Sequence, residues 1–236
     1  MNAGARPHHR YIPAFLDSGP RQRRFRITAS PACASLLMPN EPFLAPFAGV
    51  LEGFQVEREV TVETIGLEQC LAAEGIRAID FLELDTQGTE LDVLAGADSL
   101  LERSIVGLQV EVEVAPMYVN QPLFADVDAF LRARGFQLFD LSRYRVRRSA
   151  TTGPTRGQLL WGHAFYLRSV DEDLSDALAA RLAVVAALTG FPDYAADVLQ
   201  RLTASDDREV RQKAGRALRT LTTDTIPSDQ PAIWRD

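Results

Sequence analysis

The segment that most constrains the fold is residues 78–114, where a strand, a helix and a second strand follow one another. The apolar run AIDFLELD predicts the first strand and IVGLQVEVEV the second. Between them, apolar residues recur at helical spacing from Glu90 to Leu101, and Gly96 can divide this helix into two pieces. Thr89 is predicted to cap the helix. A crossover of this length makes the two strands parallel, so the segment predicts a βαβ unit.

The rest of the chain predicts more strands, and then only helices. Strands are predicted at residues 10–16, 23–28, 54–65, 136–148 and 158–168, and helices at 66–75 and 126–134. The last two strands, joined by a turn-rich loop, are expected to be antiparallel. From Asp171 to Leu221 the pattern is helical throughout. The fold class is therefore α/β with an antiparallel final hairpin and a C-terminal helical extension. The predicted domains are residues 1–168, the extension at 169–223 and a flexible tail at 224–236.

Composition limits the classes of partner. The chain has 236 residues and a formal net charge of −7, which disfavours non-specific nucleic-acid binding. No apolar run is long enough to predict a membrane span. The two cysteines, Cys33 and Cys70, lack metal-ligand spacing, so reduced thiols and a cytoplasmic location are expected. The three histidines also lack ligand spacing, so no metal site is predicted, and His163 is interpreted as structural.

Acidic residues mark both strands of the βαβ unit. Side chains alternate across a strand, so Glu83 and Asp85 share one face of the first strand, and Glu111 and Glu113 share one face of the second. If the strands are neighbours, these carboxylates gather at the carboxyl ends, where open α/β sheets bind ligands. Two interpretations remain open. The acids could be solvated or paired with arginines, or they could form a polar pocket for a cationic or hydroxyl-bearing ligand. The arginines that could pair with them include Arg132, Arg134 and Arg143.

Several blocks of the sequence resemble one known family. DFLELDTQGTELDVLAGA, VGLQVEVEVAPMY, LFADVDAFLRARGFQLFDL and HAFYLR occur in the order found in FkbM-family methyltransferases. The upstream block SPACASLLMPN is similar as well, and the resemblance covers roughly residues 10–168. It implies part of the Rossmann-like sheet of class I methyltransferases. It also implies S-adenosylmethionine as cofactor and O-methylation of a sugar, polyketide or other secondary metabolite.

The resemblance also suggests roles for individual residues. Asp85 is expected to accept a proton from the substrate hydroxyl or to orient it, with Glu111 as the second candidate. Substrate contacts are expected from Gln87, Glu113 and Tyr118, and Gly88 and Glu90 are expected to shape the turn. The glycine-rich turn that cradles the cofactor in such enzymes does not precede Tyr11, so no cofactor-binding residue is assigned.

Two further expectations concern partners and an alternative function. The partner expected is a small molecule with a hydroxyl group, and a homodimer could cover an exposed sheet edge. The alternative to an enzyme is a truncated, catalytically inactive methyltransferase-like module that uses its helical extension for protein interactions.

Overall fold

The computed structural model of the chain describes residues 9–171 and 174–223. The predicted tail at 224–236 lies outside the described residues. The chain divides into two compact units, the first ending at Tyr166 and the second beginning at Leu167. Sheets and helices are both present, so the fold is of the mixed α/β class that the sequence predicted.

The first unit contains a small sheet formed by the N-terminal third of the chain. Its strands are β1 (Phe15–Asp17), β2 (Gln22–Thr28) and β3 (Val56–Gly66). The order is β1-β3-β2, with β1 parallel and β2 antiparallel to β3. β1 is shorter than the strand predicted at residues 10–16. Pro13 lies in the missing part, and proline has no backbone N–H to give to a neighbouring strand.

The second sheet of this unit contains the predicted βαβ segment. Its strands are β4 (Phe81–Leu84), β5 (Gly107–Glu113), β6 (Phe136–Leu141), β7 (Tyr144–Val146) and β8 (Gln158–Arg168). The order is β4-β5-β8-β6, and β7 also pairs with β8 in antiparallel register. β4 and β5 are parallel, as the sequence pattern predicted.

Helices of the first unit are short. They are α1 (Glu41–Leu44), α2 (Leu51–Phe54), α3 (Leu67–Ala73), α4 (Glu90–Ala95), α5 (Asp98–Arg103) and α6 (Phe124–Arg132), with a 3₁₀ turn at Pro31–Cys33. The predicted long helix after Glu90 does divide near Gly96. Leu94 of α4 and Leu101 of α5 are fully buried in one core with Leu108 of β5, so these helices and this strand are held together by apolar packing.

Two local predictions were wrong. Residues 136–148 form two strands rather than one, because the backbone of Ser142 comes close to β8 at Gly162. A Cβ placed on Gly162 would lie 2.1 Å from the Ser142 carbonyl oxygen. Thr89 makes no capping hydrogen bond at the start of α4. Its hydroxyl donates instead to the Thr86 carbonyl at 3.3 Å.

The second unit is helical where the structure describes it. It contains α7 (Asp176–Leu188), α8 (Pro192–Leu202) and α9 (Arg208–Thr223). Ser175 caps α7 by accepting a hydrogen bond from Leu178 N, and Pro192 occupies the first turn of α8. None of the helices in residues 9–171 and 174–223 is both long and apolar enough to cross a bilayer.

Candidate active site at the carboxyl ends of two parallel strands

The parallel register of β4 and β5 places two carboxylates side by side. Leu84 pairs with Val110, so the next residues along each strand, Asp85 and Glu111, follow at the same level. Asp85 is exposed, whereas Glu111 is only 7% exposed. The predicted gathering of acids at this edge is therefore observed for these two residues.

Gln87 joins the two carboxylates. Its Nε2 donates one hydrogen bond to Asp85 Oδ1 and another to Glu111 Oε2, both at 2.6 Å. Gln87 has a φ of 56°, which is uncommon for a residue with a side chain and belongs to a tight turn. The turn thus directs the two amide hydrogens of one side chain toward two acids on neighbouring strands.

Tyr118 fixes the orientation of that amide. Its hydroxyl lies 3.1 Å from Gln87 Oε1 and 3.0 Å from the carbonyl oxygen of Cys33, and it shares its hydrogen between them. Because a hydroxyl hydrogen points at Oε1, the NH₂ group of Gln87 must face the acids. Tyr118 is fully buried, so the predicted direct contact between Tyr118 and a substrate is replaced by a supporting role behind Gln87.

Glu90 supports the turn from inside. Its Oε1 accepts hydrogen bonds from Thr86 N at 2.7 Å, Thr86 Oγ1 at 3.0 Å and Gly88 N at 3.3 Å. Burial raises the pKa of Glu90, although these hydrogen bonds favour its charged form. Gly88 has a φ of +96°, and a Cβ there would lie 3.1 Å from the Leu37 side chain. The turn therefore needs glycine for its conformation and for the space around it.

Glu113 is the most deeply buried acid of the group. It is 1% exposed, and its Oε1 has no hydrogen-bond partner among the described residues. Burial and the nearby charge of Glu90 raise the pKa of Glu113 to about 8. Gln121 lies beside it and favours the charged form, but its amide nitrogen does not reach hydrogen-bond geometry. Since Glu113 is enclosed, the structure does not offer it for the predicted substrate contact.

Glu111 is also held in a strongly acidic environment. Burial raises its pKa to about 9, and the charges of Asp85 and Glu113 contribute to the rise. Among residues 9–171 and 174–223, no arginine or lysine forms an ion pair with any of these three acids. Arg132 and Arg134, which were considered as partners, pair instead with other carboxylates, Asp128 and Asp98.

His163 was missed as a member of this cluster. It lies in β8, the strand next to β5, and one of its ring nitrogens lies with an oxygen of Asp85 and an oxygen of Glu111 inside a group no wider than 4.8 Å. Closely spaced histidines are the usual sequence signal of a metal site, and His163 has no such neighbour along the chain. Its place in the cluster follows instead from the order of the strands, which puts β8 beside β5.

A cavity of about 410 Å³ lies beside Asp85. One part of its lining is polar and belongs to the turn, and the other part is apolar and comes from β1, β2 and the segment after them. The principal lining residues are Asp85, Thr86, Gln87 and Thr89 on the polar side and Phe15, Leu16, Phe25 and Leu36 on the apolar side. Its volume and mixed lining are typical of small-molecule sites.

A larger groove of about 850 Å³ in the helical unit is lined mainly by alanine, valine and leucine and lacks such a cluster of acids.

The fold and this site define an α/β protein with paired carboxylates where its parallel strands end, which is the usual ligand-binding position in open α/β sheets. Residues 32–138 match the family model of the methyltransferase FkbM domain. This segment, which carries Asp85, Gln87, Glu111 and Tyr118, therefore matches the FkbM methyltransferase domain, and the resemblance drawn from the sequence is confirmed over these residues. No curated protein and no solved structure matches the chain.

Proposed function

We propose that this domain takes part in transferring a methyl group from S-adenosylmethionine to a hydroxyl oxygen of a sugar, polyketide or other secondary metabolite. The family match supports methyl transfer. The observation that carries the proposal is the Asp85–Glu111 pair, which Gln87 joins beside a cavity of small-molecule size. A carboxylate accepts a hydrogen bond from a hydroxyl group, so the site suits a methyl acceptor that carries a hydroxyl.

Asp85 is the better candidate for the proton acceptor. Its carboxylate is exposed and lines the cavity, whereas the Glu111 carboxylate is buried behind it. Burial and the charge of Asp85 also favour the protonated form of Glu111, which makes Glu111 the poorer proton acceptor. The acceptor hydroxyl would donate its hydrogen bond to Asp85, which would make its oxygen more nucleophilic and take its proton.

The burial of each residue decides which of the substrate contacts predicted from the sequence we retain. Gln87 lines the cavity and remains a contact for the substrate. Tyr118 and Glu113 are enclosed, so we assign them to holding Gln87 and to setting the charge of the site. Apolar side chains on the far side of the cavity, including Phe15 and Phe25, would contact the body of the acceptor.

The described residues do not form a cradle for the cofactor. The glycines at the two strand-to-helix turns, Gly66 and Gly88, are packed against protein. A Cβ on Gly66 would lie 3.5 Å from the Gly96 carbonyl oxygen, and one on Gly88 would lie 3.3 Å from Tyr118. Because neither turn leaves open space for a ligand, we assign no residue of 9–171 or 174–223 to the binding of S-adenosylmethionine. When bound, this cofactor supplies an electrophilic methyl group.

A methyl-transfer assay with radiolabelled S-adenosylmethionine and a panel of hydroxyl-bearing acceptors tests the proposal. We expect Asp85→Asn to lower kcat by about 100-fold or more, because an amide cannot accept the proton. Glu83→Gln is the matched control. It removes a carboxylate from the same strand, and Glu83 contacts Gln109 rather than the cavity.

Two results would count against the enzyme. One is equal activity in wild type and Asp85→Asn, which would remove Asp85 from the chemistry. The other is a folded wild-type protein that methylates no acceptor and binds no S-adenosylhomocysteine in calorimetry. That second result would favour the alternative of an inactive methyltransferase-like interaction module.

A further inference from the structure

Three side chains from three adjacent strands meet at one point of the sheet. One oxygen of Asp85, one oxygen of Glu111 and one ring nitrogen of His163 all lie within 4.8 Å of one another. Oxygen and nitrogen ligands bind a metal ion at about 2.0–2.2 Å, so two ligands of one ion stand at most about 4.4 Å apart. The three atoms are therefore close enough for side-chain rotations to bring them around one ion.

The carboxylates are already oriented for such a role. Gln87 holds Asp85 through Oδ1 and Glu111 through Oε2, which leaves the second oxygen of each acid for another ligand. Hydrogen bonds from a neighbouring side chain to the ligating carboxylates are a usual feature of metal sites. Tyr118 keeps the Gln87 amide in the required orientation.

A third acid provides independent support. Glu113 lies two residues after Glu111 on β5, and alternation places its side chain on the same face of the sheet. Its Oε1 is buried without a hydrogen-bond partner among the described residues. A buried, unpaired carboxylate oxygen is costly, and a positive charge among these acids would offset that cost.

We propose that Asp85, Glu111 and His163 bind one divalent metal ion, with Glu113 supplying further negative charge beside it. Two carboxylates and one imidazole form a mixed ligand set that suits an ion such as Mn²⁺. Three protein ligands leave coordination positions open for water or a substrate hydroxyl, and a metal-bound hydroxyl loses its proton more easily. The proposal concerns binding, and it holds whether or not the chain is an active methyltransferase.

Titration of the full-length, chelator-treated protein with Mn²⁺ tests the proposal. Electron paramagnetic resonance measures the free Mn²⁺, and calorimetry measures the stoichiometry. We expect saturable binding of one Mn²⁺ per chain. Asp85→Asn, Glu111→Gln and His163→Phe should each weaken the binding by tenfold or more, at least as much as loss of an outer-shell partner does. Glu83→Gln, which removes an acid from the same strand but outside the cluster, should bind as wild type does.

A second measurement does not depend on the folding of the variants. Bound Mn²⁺ broadens the NMR signals of nearby nuclei, so the amides around residues 85, 111 and 163 should lose intensity first in the wild-type protein. The proposal is overturned if folded wild-type protein shows no saturable binding or if the broadening falls elsewhere. Unchanged affinity in folded His163→Phe would also overturn it, because the acids alone would then account for the binding.

Discussion

At the scale of single residues, Glu113 is the acid with the least satisfied surroundings. Its Oε1 has no partner among the described residues, and Glu90 places a second acid nearby. We predict that Glu113→Gln raises the free energy of unfolding by about 1 kcal/mol at neutral pH, because an uncharged amide removes the cost of burying an ionisable acid beside Glu90. Urea unfolding at neutral pH in the presence of a chelator measures the change. Glu57→Gln, on an exposed position of β3, should have little effect, and a less stable Glu113→Gln protein would contradict the prediction.

Asp17 is a buried acid of the opposite kind. Arg21 and Arg23 both form ion pairs with it, and Ser18 N donates to its Oδ1 at 2.6 Å. Burial acts to raise the pKa of Asp17, but the hydrogen bonds from Arg21 and Ser18 and the charges of both arginines outweigh it, so the pKa is lowered.

Because its pKa is lower in the folded state, Asp17 stabilises the fold at pH values above its ordinary pKa of about 3.9, and this contribution is lost as the pH falls through the folded value. We predict that Asp17→Asn costs about 1.5–3 kcal/mol at pH 7 and much less at pH 3. Urea unfolding at both pH values measures the difference. The same loss at both pH values would contradict the prediction. Asp140→Asn, at an exposed position, is the control.

Sequence reasoning found the residues whose position depends on strand alternation and register. Asp85 and Glu111 follow directly from two parallel strands of similar length. His163 and Asp17 could not be found in this way, because their importance depends on which strands become neighbours. The role of Gln87 depends on the conformation of a single turn residue, and the sequence does not determine whether such a residue adopts a positive φ.

At the scale of elements, β8 lies so close to the connection between β6 and β7 that the chain forms two strands there instead of one. A Cβ on Gly162 would lie 2.1 Å from the Ser142 carbonyl oxygen. We predict that Gly162→Ala destabilises the fold by about 1–3 kcal/mol, the usual cost of overpacking, because backbone must move to relieve the clash. Gly153→Ala is the matched control, since its nearest neighbour would be a side-chain oxygen of Thr151 at 3.7 Å. Thermal unfolding compares the two, and equal melting temperatures would contradict the prediction.

Most helices and strands could be predicted from hydrophobic periodicity, and the errors have local causes. Residues 136–148 alternate as one strand would, but the sequence does not show that β8 lies close enough to interrupt them. Similarly, Thr89 is a good capping residue by type. In the structure the buried carboxylate of Glu90 takes the N–H groups of the turn, which a count of residue preferences does not reveal.

At the scale of the whole molecule, the helical unit has a core of its own. Leu182 in α7 is fully buried, whereas Leu188 in the same helix is 81% exposed. We predict that Leu182→Ala lowers the stability of α7–α9 by about 2–5 kcal/mol, the usual cost of removing a buried leucine side chain. Hydrogen exchange of the amides of these helices in the full-length protein measures the change. Leu188→Ala makes the same chemical change at an exposed position and should alter the exchange little; equal effects would contradict the prediction.

The orientation of Gln87 has a consequence for which molecules can enter the site. With its oxygen held by Tyr118, the amide cannot rotate to present an acceptor, and both of its hydrogens are already taken by Asp85 and Glu111. Without a bound cation, the entrance therefore offers the exposed Asp85 side chain and few free donors. A phosphate or carboxylate next to the hydroxyl of the proposed acceptor would be repelled there, so the proposed site would favour neutral or positively charged acceptors over anionic ones.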